Sequence, residues 1–244
     1  MHSMPRSRVW ITLGLTCAAL LLGTALYHRI HGALLGARLV RAWPAEAAKD
    51  PDLERFAVGL APEVYREHCA SCHGAKMEGD RTRGVPNLAD GVWLYGSGSI
   101  ADIETTILYG IRSGHPRARN LTDMPAFGRS GQLTAQDIRD VIEYVLLLSH
   151  LPHDDAAAER GRVVYAGPGN CYDCHARDAQ GNPDYGTPAL TGRGGSWLYG
   201  SDRDTLYQTI YDGRHGLCPA WISKLSFVQI RALALYLHET SHHE

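Results

Sequence analysis

The sequence predicts a mostly α-helical protein: one long apolar helix at the N-terminus, then two small helical domains of one design. Three observations lead there. Val9 to Tyr27, "VWITLGLTCAALLLGTALY", carries no charged residue. The rest of the chain repeats itself at an offset of 102 to 104 residues over its first motifs. Each copy closes with apolar residues at helical spacing, and no run alternates as a half-buried strand would.

The apolar stretch comes first. As a helix its 19 residues span ~28 Å, close to the hydrocarbon thickness of a bilayer. Arg6 and Arg8 precede it. A cleaved signal peptide is the rival, but the stretch is long for one, and "GTA" at Gly23–Ala25 is a poor cleavage site. An uncleaved membrane anchor over residues 1–31 is expected, with Cys17 as an apolar residue inside it. Arg29, Arg38 and Arg41 follow, so charge does not set the orientation. Residues 32–54 read as a linker.

The repeat comes next. "CASCH" at 69–73 matches "CYDCH" at 171–175. Pro86 matches Pro188, and "WLYGS" at 93–97 matches "WLYGS" at 197–201. "TILYGIR" at 106–112 matches "TIYDGRH" at 209–215, and "MPAF" at 124–127 matches "CPAW" at 218–221. Ile138, Val141, Ile142 and Val145 then recur at i, i+3, i+4, i+7, as do Ile230, Leu233, Ala234 and Leu237. Two domains are expected, 55–150 and 151–244, each folded on its own copy. "SHLPHDDAAAERG" joins them, where Pro152 and Asp154–Asp155 end one helix and start another. A 44% apolar content supports ordinary cores, and a net charge of −2 gives no reason to expect a nucleic-acid partner. Domains this small and loop-rich need an internal prop, and a covalently held cofactor is one.

The motif C-x-x-C-H supplies it. Two thiols add to the vinyl groups of a c-type haem, and the adjacent histidine becomes the proximal iron ligand. A thioredoxin-like redox pair expects a βαβ setting, and zinc expects further ligands at short spacing; the sequence offers neither. Cys69, Cys72 and His73 are therefore expected to hold one haem, and Cys171, Cys174 and His175 a second. A thioether suits the sixth position of an electron-transfer haem because it binds both oxidation states. Met124 fills that role in the first copy. Met1 and Met4 precede the apolar span, and Met77 is too close to His73. The second copy contains no methionine, and Cys218 stands where Met124 would be. Cys218 as thiolate is the leading candidate there and would lower the potential. His215 is the second candidate, and a haem with neither ligand the third. His238, His242 and His243 read as surface residues.

Around these ligands, the carbonyls of Pro86 and Pro188 are suited to accept the proximal histidine proton. Trp93 and Trp197 line the haem edge or pack the helix junction. Tyr65 and Tyr165 pack each first helix on the last.

With anchor and two haem motifs in this order, and with "PNLADGVWLYGS", "TILYGIRSGHPRARNLTDMPAFG" and "WLYGS…TIYDGRHGLCPAW" in place, the chain resembles the di-haem, membrane-anchored subunit III of cbb3-type cytochrome c oxidases. The resemblance covers nearly everything beyond residue 45. It implies two tandem class I cytochrome c domains behind one transmembrane helix in the bacterial inner membrane, with the haem domains in the periplasm. It implies an accessory electron-transfer subunit of the respiratory chain, with no catalytic site of its own. Electrons would pass from a donor cytochrome c towards a mono-haem cytochrome c subunit and a haem–copper subunit that reduces O2 and pumps protons. The family has methionine where Cys218 stands. Two other classes follow from that cysteine: a di-haem enzyme of sulfur oxidation, similar to thiosulfate dehydrogenases, which needs a basic pocket near Cys218 (Arg214 and Lys224 are close in sequence), and a haem-based gas sensor.

Overall fold

The computed structural model describes residues 6–191 and 197–241, with side chains from residue 15 onward. Met1, Met4, His242 and His243 lie outside the described residues. The elements are all helical: α1 (Arg6–Arg41), α2 (Pro44–Ala47), α3 (Pro51–His68), α4 (Ala70–His73), α5 (Ile100–Tyr109), α6 (Ala135–Leu148), α7 (Asp155–Ala166), α8 (Tyr172–His175), α9 (Arg203–Asp212) and α10 (Phe227–Ser241). Among the described residues, β pairing is confined to isolated bridges.

Helix starts follow local chemistry. Asp50, Ser99, Thr134, Asp154 and Asp202 each cap a helix by accepting backbone N–H groups that have no partner inside it. Thr134 and Asp137 form a reciprocal capping box.

Helix α1 is continuous over 36 residues and is not confined to the expected anchor. Its last turns enter the protein: Leu39 is fully buried, and Gly36 lies against Val228 and Phe56. The earlier part stands free, with Leu20, Leu21, Leu22, Leu26 and Ile30 exposed. The expected span from Val9 starts in residues whose side chains are not described. Among the described residues no helix is long and apolar enough to cross a membrane. The expected linker 32–54 is the end of α1, the short α2, and the cap and first turn of α3.

Two cores form, and they correct the expectation that each copy folds on itself. The first joins α3 and α5 to α10 and to the end of α1: Leu53, Ala57, Val64, Tyr65, Ile100 and Ile103 pack with Leu225, Ile230, Leu233 and Leu237. The second joins α6 to α7 and α9: Ile138, Val141, Ile142 and Leu146 pack with Val164, Tyr165 and Leu206, and with Phe127 and Met124. The closing helices are exchanged between copies. The second unit is continuous from about Thr122 to His215 and interrupts the first.

The short connector explains this. Six residues, 149–154, separate α6 from α7. So short a loop makes its helices antiparallel neighbours. The stretch read as an interdomain joint is thus a hairpin within one unit. Gly161 makes the hairpin tight, because a Cβ there would sit 2.0 Å from the Asp140 carbonyl oxygen. Buried Asp140 accepts 2.9 and 2.8 Å hydrogen bonds from Arg160 across the same crossing.

Candidate haem sites

The two C-x-x-C-H segments are built alike. In each, the second-cysteine turn is one helical turn that closes on the first cysteine: His73 and His175 donate backbone N–H groups to Cys69 and Cys171 at 3.0 and 2.9 Å. Tyr65 and Tyr165 are buried, and each hydroxyl donates a 2.7 Å hydrogen bond to the carbonyl after the histidine, Gly74 or Ala176. Each tyrosine thus ties its helix to its own haem turn. Tyr165 also packs edge-on against Tyr144 of α6.

The histidine rings are oriented by carbonyls. His73 Nδ1 lies 3.1 Å from the Pro86 oxygen and His175 Nδ1 lies 2.9 Å from the Pro188 oxygen. A carbonyl only accepts, so Nδ1 carries the proton and Nε2 keeps its lone pair for a metal. Burial holds both imidazoles below their usual pKa, partly opposed by these hydrogen bonds. Burial pushes the Cys69 and Cys171 thiols up to about 11. The donor set, two thiols and a neutral histidine with a free Nε2, fits covalent haem attachment.

Both segments open into one continuous cavity of about 710 Å³. Its lining includes both proximal histidines, Trp93, Trp197, Met124 and Cys218. Trp93 packs with the first core and Trp197 with the second. The Trp93 ring also lies over Gly98, and its Nε1 has no hydrogen-bond partner.

The distal residues fall opposite to the expected pairing. Cys218 pairs with Ile111, just past α5 of the first unit. Trp221 follows it, donates its N–H to the Ile107 carbonyl and packs its ring near His68, which precedes Cys69. Burial raises the Cys218 thiol to about 11, with the Cys72 thiol adding to the shift. Met124 pairs with Arg214, just past α9 of the second unit, and Phe127 donates to the Ile210 carbonyl. Cys218 thus faces the Cys69–Cys72–His73 site, and Met124 the Cys171–Cys174–His175 site.

The other sequence candidates fall differently. His215 is exposed, and it lines the same cavity as Cys218. Met77 is buried in the first core. His238 is half-buried, and its Nδ1 lies 2.8 Å from the Gly98 oxygen, so it is not a simple surface residue.

The units lock together through the repeated W-L-Y-G-S segments, a feature that sequence reasoning missed. The Tyr199 ring fills the space over Gly84, and the Tyr95 ring the space over Gly186. A Cβ at either glycine would lie about 2 Å from the ring, and both have positive φ, +65° and +71°. The identical tyrosines at an offset of 104 were the available signal.

Two thiol-plus-histidine haem turns in small helical units define a two-haem c-type cytochrome. Comparison with known proteins narrows this. Residues 60–149 match the family model described as cytochrome c, and residues 156–237 match that of cytochrome c oxidase, cbb3-type, subunit III. The chain is 44% identical over 205 residues to the cbb3-type cytochrome c oxidase subunit FixP of Bradyrhizobium sp. (strain ORS 278), covering 83% of this chain and 67% of that one. It is 44% identical over 196 residues to subunit CcoP of Azospirillum brasilense, covering 78% of this chain and 64% of the relative. With subunit CcoP of Cereibacter sphaeroides the figures are 39% over 191 residues, 78% and 63%. The chain thus spans about two thirds of the length of these relatives. It belongs to the family of cbb3-type cytochrome c oxidase subunit III, and carries two covalently bound c-type haems.

Proposed function

We propose that the chain relays electrons within a cbb3-type terminal oxidase, from a donor cytochrome c towards a mono-haem cytochrome c subunit and a haem–copper subunit that reduces O2. Each haem supplies one-electron Fe(II)/Fe(III) chemistry when bound. The observation that carries the reading is the single apolar cavity shared by both attachment sites. Residues of both attachment sites share its lining, which supports a short path between the two haems.

The ligand sets proposed are His73 with Cys218 and His175 with Met124. Cys69 and Cys72 tether the first haem, and Cys171 and Cys174 the second. Pro86 and Pro188 orient the histidines, while Trp93 and Trp197 wall the cavity. The exchanged closing segments support this crossed pairing.

Helix α1 is proposed as the single-pass anchor in the bacterial inner membrane, with the N-terminus inside and the haem units in the periplasm. Its exposed leucines between residues 15 and 34 support that reading.

The sulfur-oxidising alternative needs a cation beside Cys218. Arg214 instead follows α9, on the Met124 side, with its guanidinium 3.7 Å from the Tyr199 ring centroid. Lys224 sits over Trp221. The relay is tested by purifying the tagged chain from membranes. Co-purification of a haem–copper subunit and rapid reduction by a donor cytochrome c are expected. Thiosulfate turnover without an oxidase partner would overturn it.

A further inference from the structure

One guanidinium reaches both distal loops. Arg112 follows α5, and its side chain is only 15% exposed. Nε donates to the Gly216 carbonyl at 2.5 Å. A terminal nitrogen donates to the Thr122 carbonyl at 2.8 Å and lies 3.2 Å from the Asp123 carboxylate and 3.4 Å from the Tyr95 hydroxyl. Gly216 stands two residues before Cys218, and Thr122 two residues before Met124. The two carbonyls occupy the same place in the repeat and belong to the segments that deliver the two distal residues.

Few other contacts hold these segments, among them the Thr122 hydroxyl, which donates to the Tyr185 carbonyl at 3.1 Å. Leu121 and Leu217 are 68% and 70% exposed. Beyond Arg112, each loop is held at its distal residue by one backbone bridge, Ile111 with Cys218 and Arg214 with Met124. The repeat has no second copy of the device. His215 stands where Arg112 would recur, and it is exposed.

We propose that Arg112 is a positioning residue that clamps both sixth-ligand loops at once and thereby couples the hold on one haem iron to the hold on the other. This rests on Met124 and Cys218 being the distal ligands. Arginine suits the task because its planar fork presents five donors in fixed directions. A lysine has three donors on one nitrogen and does not span carbonyls on two loops.

The test uses the ferric, haem-loaded full chain and imidazole as the entering ligand. In the wild type, binding is expected in two slow phases, each limited by release of one protein ligand. In Arg112→Gln, both phases accelerate about tenfold or more, the scale of losing a hydrogen bond to a charged group on each loop. Arg112→Lys keeps the charge and is expected to accelerate both phases too; it is read alone if the glutamine variant does not accumulate haem. Acceleration of one phase only, or of neither, overturns the clamp. The underlying ligand reading is checked separately. Met124→Ala and Cys218→Ala must each remove one slow phase and change the ferric spectrum of one haem. If neither does, the ligand assignment fails, whatever Arg112 does.

Discussion

Cys218 and Ile111 exchange both backbone hydrogen bonds, at 2.9 and 3.0 Å, although 107 residues separate them. This pairing carries a cysteine of the second copy to the haem site of the first. On the proposed ligand sets, the thiolate-ligated haem is the one tethered by Cys69 and Cys72. Removing the other tether, with Cys171→Ala and Cys174→Ala, should leave a one-haem protein that keeps a low-spin thiolate-type signal in low-temperature electron paramagnetic resonance. Cys218→Met in that background should replace the signal with a methionine type and raise the potential, because a thioether favours Fe(II) more than a thiolate does. A methionine-type signal in the one-haem protein before that change would return Cys218 to the second site.

Gly84 and Tyr199 make a second crossing contact, mirrored by Gly186 and Tyr95. Gly84→Ala introduces a methyl about 2 Å from the ring at a left-handed backbone position. The cost expected is about 1–3 kcal/mol from the backbone alone, more if the ring is displaced. Tyr199→Gly would not strain the glycine loop but would loosen the contact between units. Thermal unfolding followed by far-UV circular dichroism should show both variants less stable. In the double variant Gly84→Ala/Tyr199→Gly, the two losses should sum to more than the combined effect, because the clash has been removed. Strict additivity would mean that the ring does not meet the glycine.

The attachment residues were legible because their chemistry is local. C-x-x-C-H needs five consecutive residues and one helical turn, and Pro86 and Pro188 recur at a fixed spacing from it. That Met124 and Cys218 sit on matching turns was legible too, since they share the P-A-aromatic frame. Their partners were not. The spacing of Ile138, Val141, Ile142 and Val145 shows which face of α6 is buried, but says nothing of what buries it. That choice is made by the six-residue connector, by Gly161 and by the Asp140–Arg160 pair. The shortness of the connector was visible, but Pro152 and two aspartates made it read as a joint between domains rather than a hairpin. The Arg112 contacts depend on the exchange, and no linear pattern announces them.

Arg231 fastens α1 to the first haem unit. It is buried on α10, and its guanidinium pairs with Glu104 of α5 at 2.6 Å while donating to the Leu39 and Ala42 carbonyls at 3.2 and 2.8 Å. Those carbonyls belong to the C-terminal end of α1, where cations are favoured and acceptors lack partners. Arg231→Met leaves Glu104 buried without its cation, at a cost of about 3–5 kcal/mol. The double variant Arg231→Met/Glu104→Gln should recover much of the loss in stability but not the hold on α1. Limited trypsin digestion of membranes checks this. Cleavage at Arg38 and Arg41 should be slow in the wild type and fast in both variants, releasing the haem units from the membrane fraction. Equal protection in the double variant would show that apolar packing at Leu39 and Gly36 is enough.

The α6–α7 hairpin carries an acid-sensitive element. Asp140 and Glu143 lie on one face of α6, and hydrogen bonds from Arg160 and Arg203 respectively hold both carboxyls below the usual carboxylate range, against the opposing effect of burial. A folded-state pKa below the unfolded one means that folding favours the ionised form. The contribution is complete above the unfolded value of about 4 and is lost as pH falls through the lower folded value. The second haem unit should therefore lose stability from about pH 4 downward, with its contribution constant near neutrality. Asp140→Asn should lower the melting temperature at pH 7 and flatten its decline in acid. Melting curves read at the haem absorbance, in the one-haem protein that keeps Cys171 and Cys174, isolate this unit. A decline as steep in Asp140→Asn as in its parent would assign the acid sensitivity to other carboxylates, with Glu143 and its pairing to Arg203 the next to remove.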